Sequence, residues 1–305
     1  MAVTLFAPAK INLYLHVTGR RADGFHLLDS LVAFADIGDR LTAIKAKTLS
    51  LAIRGPEAAA LAGLGDQNLV LRAARKLAAA IDASSRNRGA AMSLEKRLPT
   101  AAGIGGGSSD AAATLRLLND LWGRPLDETA LARLAAKLGA DVPACLAGCP
   151  VWVGGIGERL EPAVGLPPVG ILLANPRRQL ATADVFRARS GPFSPPARFA
   201  SMPRGAAAFA AALAGCRNDL TTAALTLMPE IADVLQRLGD LPGALLSRMS
   251  GSGATCFALF ADRDAALRAE GQLARIEPGW WSAGGALLTA APRIEHTADR
   301  PPRFP

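Results

Sequence analysis

The run PTAAGIGGGSSDAAAT, residues 99–114, carries four glycines: Gly103, Gly105, Gly106 and Gly107. Ser108, Ser109 and Asp110 follow, and a helical pattern begins at once, with Leu115, Leu118 and Leu121 on one side. Glycine lets the backbone take positive φ and approach a ligand with no Cβ in the way. The first turn of the following helix offers free N–H groups and a positive dipole end, which together favour an anion. Upstream, Ala90, Met92 and Leu94 alternate as a strand does and lead through Lys96 to Pro99. The order strand, glycine loop, helix is that of a phosphate cradle. No Gly-Lys-Ser or Gly-Lys-Thr follows the glycines, so this is not a Walker A loop. Ser108 stands where a dinucleotide fingerprint would place its third glycine.

Working outward toward the N-terminus, Ile11, Leu13, Leu15 and Val17 alternate with polar residues, the period of a half-buried strand. A polar loop, residues 19–29, carries Arg20, Arg21, Phe25 and His26. Residues 31–37 and 41–44 predict two more strands, with Gly38-Asp39 as the turn between them. Asp66 is the expected cap of a helix with the apolar stripe Leu69, Ala73, Leu77, Ala80 and Ile81. On the other side of the glycine loop the helix stops at Gly123 and Pro125. Asp127 caps the next helix, and Asp141-Val142-Pro143 reads as a further helix start. From residue 164 the pattern is a strand at 169–175, helices from Ala181, Arg204 and Pro229, strands at 244–249 and 256–260, a helix at 262–275 and a strand at 286–289. That order suits a split βαβ sandwich. Residues 190–203, rich in Pro and Ser, predict a surface loop. The expected division is a first domain over 1–163, a second over 164–291 and a mobile tail over 292–305.

The 305 residues carry a formal charge of +8, with 34 Lys and Arg against 26 Asp and Glu. The basic residues are scattered, and Tyr14 is the one tyrosine available to interleave with them, so an anionic small molecule is favoured over nucleic acid. Cys145, Cys149, Cys216 and Cys256 sit in apolar surroundings and read as reduced thiols rather than a zinc set. Residues 1–10 lack a charged region followed by a long apolar core, and no stretch reaches the ~20 apolar residues of a membrane span. The expectation is a cytoplasmic protein, monomer or homodimer, without a membrane or nucleic-acid partner.

The glycine run fits P-x-x-x-G-[LI]-G-[GS]-[GS]-S-[SA] and resembles the nucleotide loop of the GHMP kinases. PAKINLYLHVTGRRADGFHLLDSLV, residues 8–32, is similar to the start of the cytidine-diphosphate branch of that superfamily. SGSGAT, residues 250–255, resembles its third motif, and GADVPACL (139–146) and TADVF (182–186) also fit. The resemblance spans nearly the whole chain up to Pro292. It implies an α+β, two-domain GHMP kinase fold: an N-terminal ribosomal-protein-S5-domain-2-like domain and a C-terminal ferredoxin-like split βαβ domain. The implied activity is ATP-dependent phosphorylation of a hydroxyl on a small cytidine-diphosphate substrate, with Mg²⁺ as cofactor.

The same resemblance assigns roles. Lys10, otherwise an ordinary surface lysine, becomes the residue that stabilises the reacting phosphate. Asp141, otherwise a helix cap, becomes the general base. Pro99, Ala101, Gly103, Ile104, Gly105, Gly106, Gly107, Ser108 and Ser109 grip ATP, with Asn68 and Lys96 as weaker candidates. No protein metal ligand is certain: Mg²⁺ is carried by ATP, with Ser108 the candidate contact. Asp110, to which the resemblance gives no role, reads only as a complement to the helix dipole. On the acceptor side Phe25 and Phe186 face each other across the base, His26 holds it, and Asn12 orients the hydroxyl. Thr182, Gly251, Ser252 and Gly253 close over the phosphates. Gly-Gly-Ser-Ser also resembles part of the amidase signature, but that motif continues with glycines where this chain has Asp110-Ala111-Ala112. A binder without catalysis would be expected to lack Lys10 or Asp141.

Overall fold

A computed structural model describes residues 1–81 and 88–297. Strands β1 (Ala2–Arg20) and β2 (His26–Ala46) form one long antiparallel hairpin, in register from Val3 opposite Ala43 to Arg20 opposite His26. The expected turn at Gly38-Asp39 does not exist, because β2 runs straight through it. Gly38 lies opposite Pro8, beside a register shift between Pro8 and Lys10. A Cβ at position 38 would sit 2.3 Å from the Ala7 carbonyl oxygen, so the glycine permits a close strand crossing rather than a reversal.

The remaining elements, in chain order, are β3 (Leu49–Arg54), α1 (Leu69–Ile81), β4 (Gly89–Glu95), α2 (Gly106–Leu121), α3 (Glu128–Ala136) and α4 (Val142–Ala147). Strands β5 (Val151–Gly155), β6 (Arg159–Pro162) and β7 (Gly170–Asn175) follow. Then come α5 (Thr182–Ala188), α6 (Ala206–Ala214), α7 (Thr221–Leu227) and α8 (Glu230–Gly239). The chain closes with β8 (Leu246–Met249), β9 (Cys256–Phe260), α9 (Arg263–Ile276), β10 (Trp281–Ala286) and β11 (Glu295–Thr297).

The first sheet has the order β11-β1-β2-β4-β3, with β5 paired to the hairpin-tip half of β2 and β6 to β5. Helices α1 to α4 bury its apolar face. Val3, Leu5, Leu41, Ala43 and Leu94 of the sheet meet Leu77 of α1 and Leu115 and Leu118 of α2. The second sheet, β10-β7-β9-β8, is antiparallel throughout. Its chain order of strand, helices, two strands, helix, strand is the split βαβ arrangement anticipated above. The two sheets share a core: Ile11, Leu13 and Tyr14 of β1 pack with Ile171 and Leu173 of β7 and Phe257 and Leu259 of β9.

Four local expectations are corrected. Asp66 lies in a short 3-10 turn and pairs with Arg75, while Asn68 Oδ1 accepts from the Val70 N–H at the true start of α1. Helix α7 was not anticipated. The last strand of the second sheet is residues 281–286, earlier than expected. Within the expected tail, Glu295–Thr297 pairs with Ala2–Thr4, because β1 otherwise presents an unpaired edge there. Residues 298–305 lie outside the described residues. Asp127 and Asp262 cap α3 and α9 through the N–H groups of Ala130 and Ala265, as the sequence predicts for Asp127.

Candidate active site

The site forms where the glycine loop, the hairpin and the turn before β9 converge. Lys10 N donates to Ile104 O at 2.9 Å, which ties β1 to the glycine loop. Gly105 has φ +63°, and a Cβ there would lie 3.0 Å from Lys10 Cβ, so the loop rests on the lysine stem. The Lys10 ammonium reaches Asp141 Oδ1 at 2.8 Å, with Lys10 nearly buried and Asp141 half exposed. Asp141 stands at the start of α4 but makes no side-chain cap bond. Its carboxylate is turned to the lysine and the cavity, which removes the helix-cap reading.

Gly103 meets the second half of the chain directly, since a Cβ there would come within 2.4 Å of Gly253 O. Thr255 N donates to Ala102 O at 3.2 Å, and Asn12 N to Ser250 Oγ at 3.2 Å. Thr182 Oγ1 and Ser252 Oγ share a hydrogen bond of 2.9 Å. Asn12 Nδ2 donates to Ser30 Oγ at 2.8 Å, and this fixes the amide with its Oδ1 buried and without a partner. A buried acceptor left open at a cavity wall is a position for a ligand's donor.

One cavity of about 840 Å³ runs through this junction. Its walls bring together Lys10, Asn12, Asp141, Ala101, Gly103, Gly105, Gly106, Gly107 and Ser108. Phe25, His26, Thr182, Phe186, Gly251 and Ser252 line the same space. At the outer end His26 stacks on Phe186, with ring centroids 5.4 Å apart and planes 30° apart, while Phe25 is 59% exposed at the rim. His26, not Phe25, is therefore the ring that faces Phe186 in this structure. Burial, then Arg20 and Arg189, push the His26 pKa down.

Other expected contacts are not in the wall. Ser109 is 2% exposed, because successive helix residues project about 100° apart and its side chain falls on the β1 side of α2. Pro99 and Ile104 are buried frame residues, Gly253 backs Gly103, and Asn68 is spent on the α1 start. The Lys96 side chain lies under the loop, bonded to Asp39 Oδ2 at 2.6 Å and Asp110 Oδ2 at 2.8 Å. Asp110 thus pairs inward rather than serving the helix dipole alone. Burial works against the charged Lys96, but Asp110 and Asp39 more than offset it and its pKa is raised. Burial pushes the Asp110 carboxyl up to about 7, with Lys96 pulling the other way.

The pattern of the GHMP kinases N terminal domain matches residues 68–149, and that of the GHMP kinases C terminal matches residues 204–277. The 4-diphosphocytidyl-2-C-methyl-D-erythritol kinase of Paramagnetospirillum magneticum is 51% identical, over 93% of this chain and 98% of the relative. That of Rhodospirillum rubrum is 49% identical, over 94% of this chain and 93% of its own. The chain belongs to this branch of the GHMP kinases. A crystal structure of a 4-(cytidine 5'-diphospho)-2C-methyl-D-erythritol kinase superposes with a TM-score of 0.76 at 36% identity, covering 93% of this chain and 98% of the other. GHMP kinases use ATP as co-substrate, and in this chain Gly103, Gly105, Gly106 and Gly107 line the cavity beside Lys10.

Two residues that hold this GHMP kinase site escaped the sequence reading. Asn218 Nδ2 donates to Met249 O and Gly251 O, both at 2.8 Å, and so shapes the turn before β9 from a distant loop. Arg248 is buried and donates to the carbonyls of Leu13, Leu213 and Cys216, joining β8 to β1 and the end of α6. Nothing in their local sequence marks either, because their partners are more than 30 positions away. The cysteines are free, as expected. Among the described residues no group of three His, Cys, Asp or Glu could hold a metal, and no helix is long and apolar enough to cross a membrane.

Proposed function

We propose that this chain transfers the γ-phosphoryl group of ATP to the 2-hydroxyl of 4-diphosphocytidyl-2-C-methyl-D-erythritol, giving the 2-phosphate and ADP, in the methylerythritol phosphate route to isoprenoid precursors. The observation that carries this is the Lys10–Asp141 pair, 2.8 Å apart, set between the glycine cradle and the aromatic end of one cavity. An acceptor lying along that cavity puts its cytosine at His26, Phe25 and Phe186, and its hydroxyl at Asp141. The open Oδ1 of Asn12 accepts from the acceptor and orients it. As the hydroxyl oxygen attacks the γ-phosphorus, the bond to the β–γ bridging oxygen breaks and Asp141 takes the hydroxyl proton. Lys10 lies beside the developing charge, and the N–H groups of the first turn of α2 hold the phosphates.

Mg²⁺ supplies charge neutralisation on the phosphates. Ser108, on the glycine-loop side of the wall, is the side-chain oxygen that would contact an ion carried by ATP. Thr182, Gly251 and Ser252 stand where the acceptor's diphosphate passes. We place the enzyme in the cytoplasm, acting on small molecules as a monomer or homodimer. A coupled assay of ADP release tests the reading. Turnover with 4-diphosphocytidyl-2-C-methyl-D-erythritol is expected, and turnover with mevalonate or homoserine in its place would overturn the choice of acceptor.

A further inference from the structure

We propose that Lys96, Asp39 and Asp110 form a strut beneath the glycine loop that sets the loop's amides before the nucleotide arrives. This rests on the reading that the loop holds ATP phosphates. The three residues are 1%, 0% and 2% exposed. One ammonium joins three pieces of chain: Asp39 on β2, Lys96 just past β4, and Asp110 in the second turn of α2. Asp39 Oδ1 also accepts from the N–H groups of Arg97 and Leu98 at 2.6 and 2.9 Å, which anchors the segment entering the loop. Lys96 N donates to Arg54 O, and Lys96 O accepts from Glu57 N, so its backbone is locked as well. A Cβ on Gly106 would lie 3.2 Å from Lys96 Nζ, so the loop rides directly on the charged group.

The first N–H groups of a helix have no partner within it, and here they belong to Gly106, Gly107 and Ser108. Glycines that give these amides access to a phosphate also leave the loop free to wander, and ordering it on binding would cost affinity. A buried charge cluster adds little net stability but fixes one arrangement strongly, because removing any member leaves the others unpaired. The partners are unequal. Asp39 satisfies three donors, whereas Asp110 takes one from Lys96 and leaves Oδ1 open. An amide at position 110 still offers Lys96 an oxygen, whereas a methyl does not.

The experiment compares Lys96→Met, Asp110→Ala and Asp110→Asn with the parent chain by steady-state kinetics, thermal midpoint and titration with a non-hydrolysable ATP analogue. Lys96→Met and Asp110→Ala are expected to raise the ATP KM and the analogue Kd by about tenfold or more, as loss of one partner of a buried charge pair does. The acceptor KM should move by less than about threefold, and Asp110→Asn should recover most of the ATP affinity. Variants that lose thermal stability but keep the parent ATP KM, or that raise both KM values together, would overturn the strut. Should the variants fail to fold, hydrogen exchange on the parent without nucleotide gives the answer. Strong protection of the Arg97, Leu98 and Ser109 amides, which are bonded to Asp39 Oδ1 and Gly105 O, is expected, and rapid exchange there would overturn the proposal. A parent chain that binds no ATP analogue would instead overturn the reading of the loop itself.

Discussion

Lys10 and Asp141 lie 131 positions apart in the chain and 2.8 Å apart in space. Neither residue alone suggests a catalytic role; their contact supports the proposed one, because a carboxylate at a helix start normally caps that helix and this one does not. Asp141→Asn keeps the shape and removes the proton acceptor, so kcat should fall by about 10²–10⁴-fold. Binding of a non-hydrolysable ATP analogue should stay near the parent value, and kcat within about threefold of the parent would exclude the general-base role. His26 gives a second prediction. Its protonated form is disfavoured by burial and by Arg20 and Arg189, so the ring stays neutral to lower pH than a free histidine, whose pKa is 6.5. The acceptor KM should therefore hold steady from pH 8 to about 6.5 and rise only below that. His26→Gln should flatten the profile, and a KM that climbs between pH 8 and 7 would contradict the assignment. At this scale the motifs singled out Lys10, Asn12, Asp141 and Ser108, which the fold brings to the wall of one cavity. They could not say which way a side chain faces, and neither Ser109 nor Lys96 lines that cavity.

At the scale of elements, the glycine loop and the turn before β9 meet backbone to backbone. Gly103 has φ +76°, and a methyl there would press within 2.4 Å of Gly253 O. Gly103→Ala must separate the two elements. It should raise the ATP KM by about tenfold or more, with a loss of at least ~1 kcal/mol in stability from the positive φ alone. Parallel denaturation curves and kinetics check this, and an alanine variant indistinguishable from the parent would refute the contact. Strand, loop and helix were legible here because period and glycine placement are local properties. The hairpin was less so: Gly38-Asp39 has turn chemistry, yet β2 passes through it, since the glycine answers to a neighbouring strand 30 positions upstream. The pairing of β11 with β1 was invisible for the same reason. Three polar residues become a strand only when an edge is waiting for them.

For the whole molecule the main fact is the shared core, in which Ile11 and Leu13 of β1 pack with Ile171, Leu173, Phe257 and Leu259 of the second sheet. Two family patterns suggest two units, but residues of both complete one hydrophobic cluster. Unfolding in urea should therefore be one cooperative transition. Trp122 and Trp152 report on the first half of the chain and Trp280 and Trp281 on the second. Variants that keep tryptophan in one half alone should give coincident curves, and midpoints that differ would show independent domains. Strand and helix order suggested two halves, and the strands form two sheets. It could not show that the site lies where the halves meet, because that depends on contacts such as those of Asn218 and Arg248.

The single cavity has a practical consequence. The cradle under the glycine loop and the slot at His26 and Phe186 open into one another across about 840 Å³, with no wall between them. On the proposed function, a molecule with adenosine at one end and cytidine at the other, joined by a phosphate chain of the right length, should span both compartments. Once one end docks, the other meets its site at an effective concentration on the order of millimolar, and the joined ligand should bind about 10²–10⁴-fold more tightly than either half. An inhibitor built this way would owe its selectivity to the distance between its two rings.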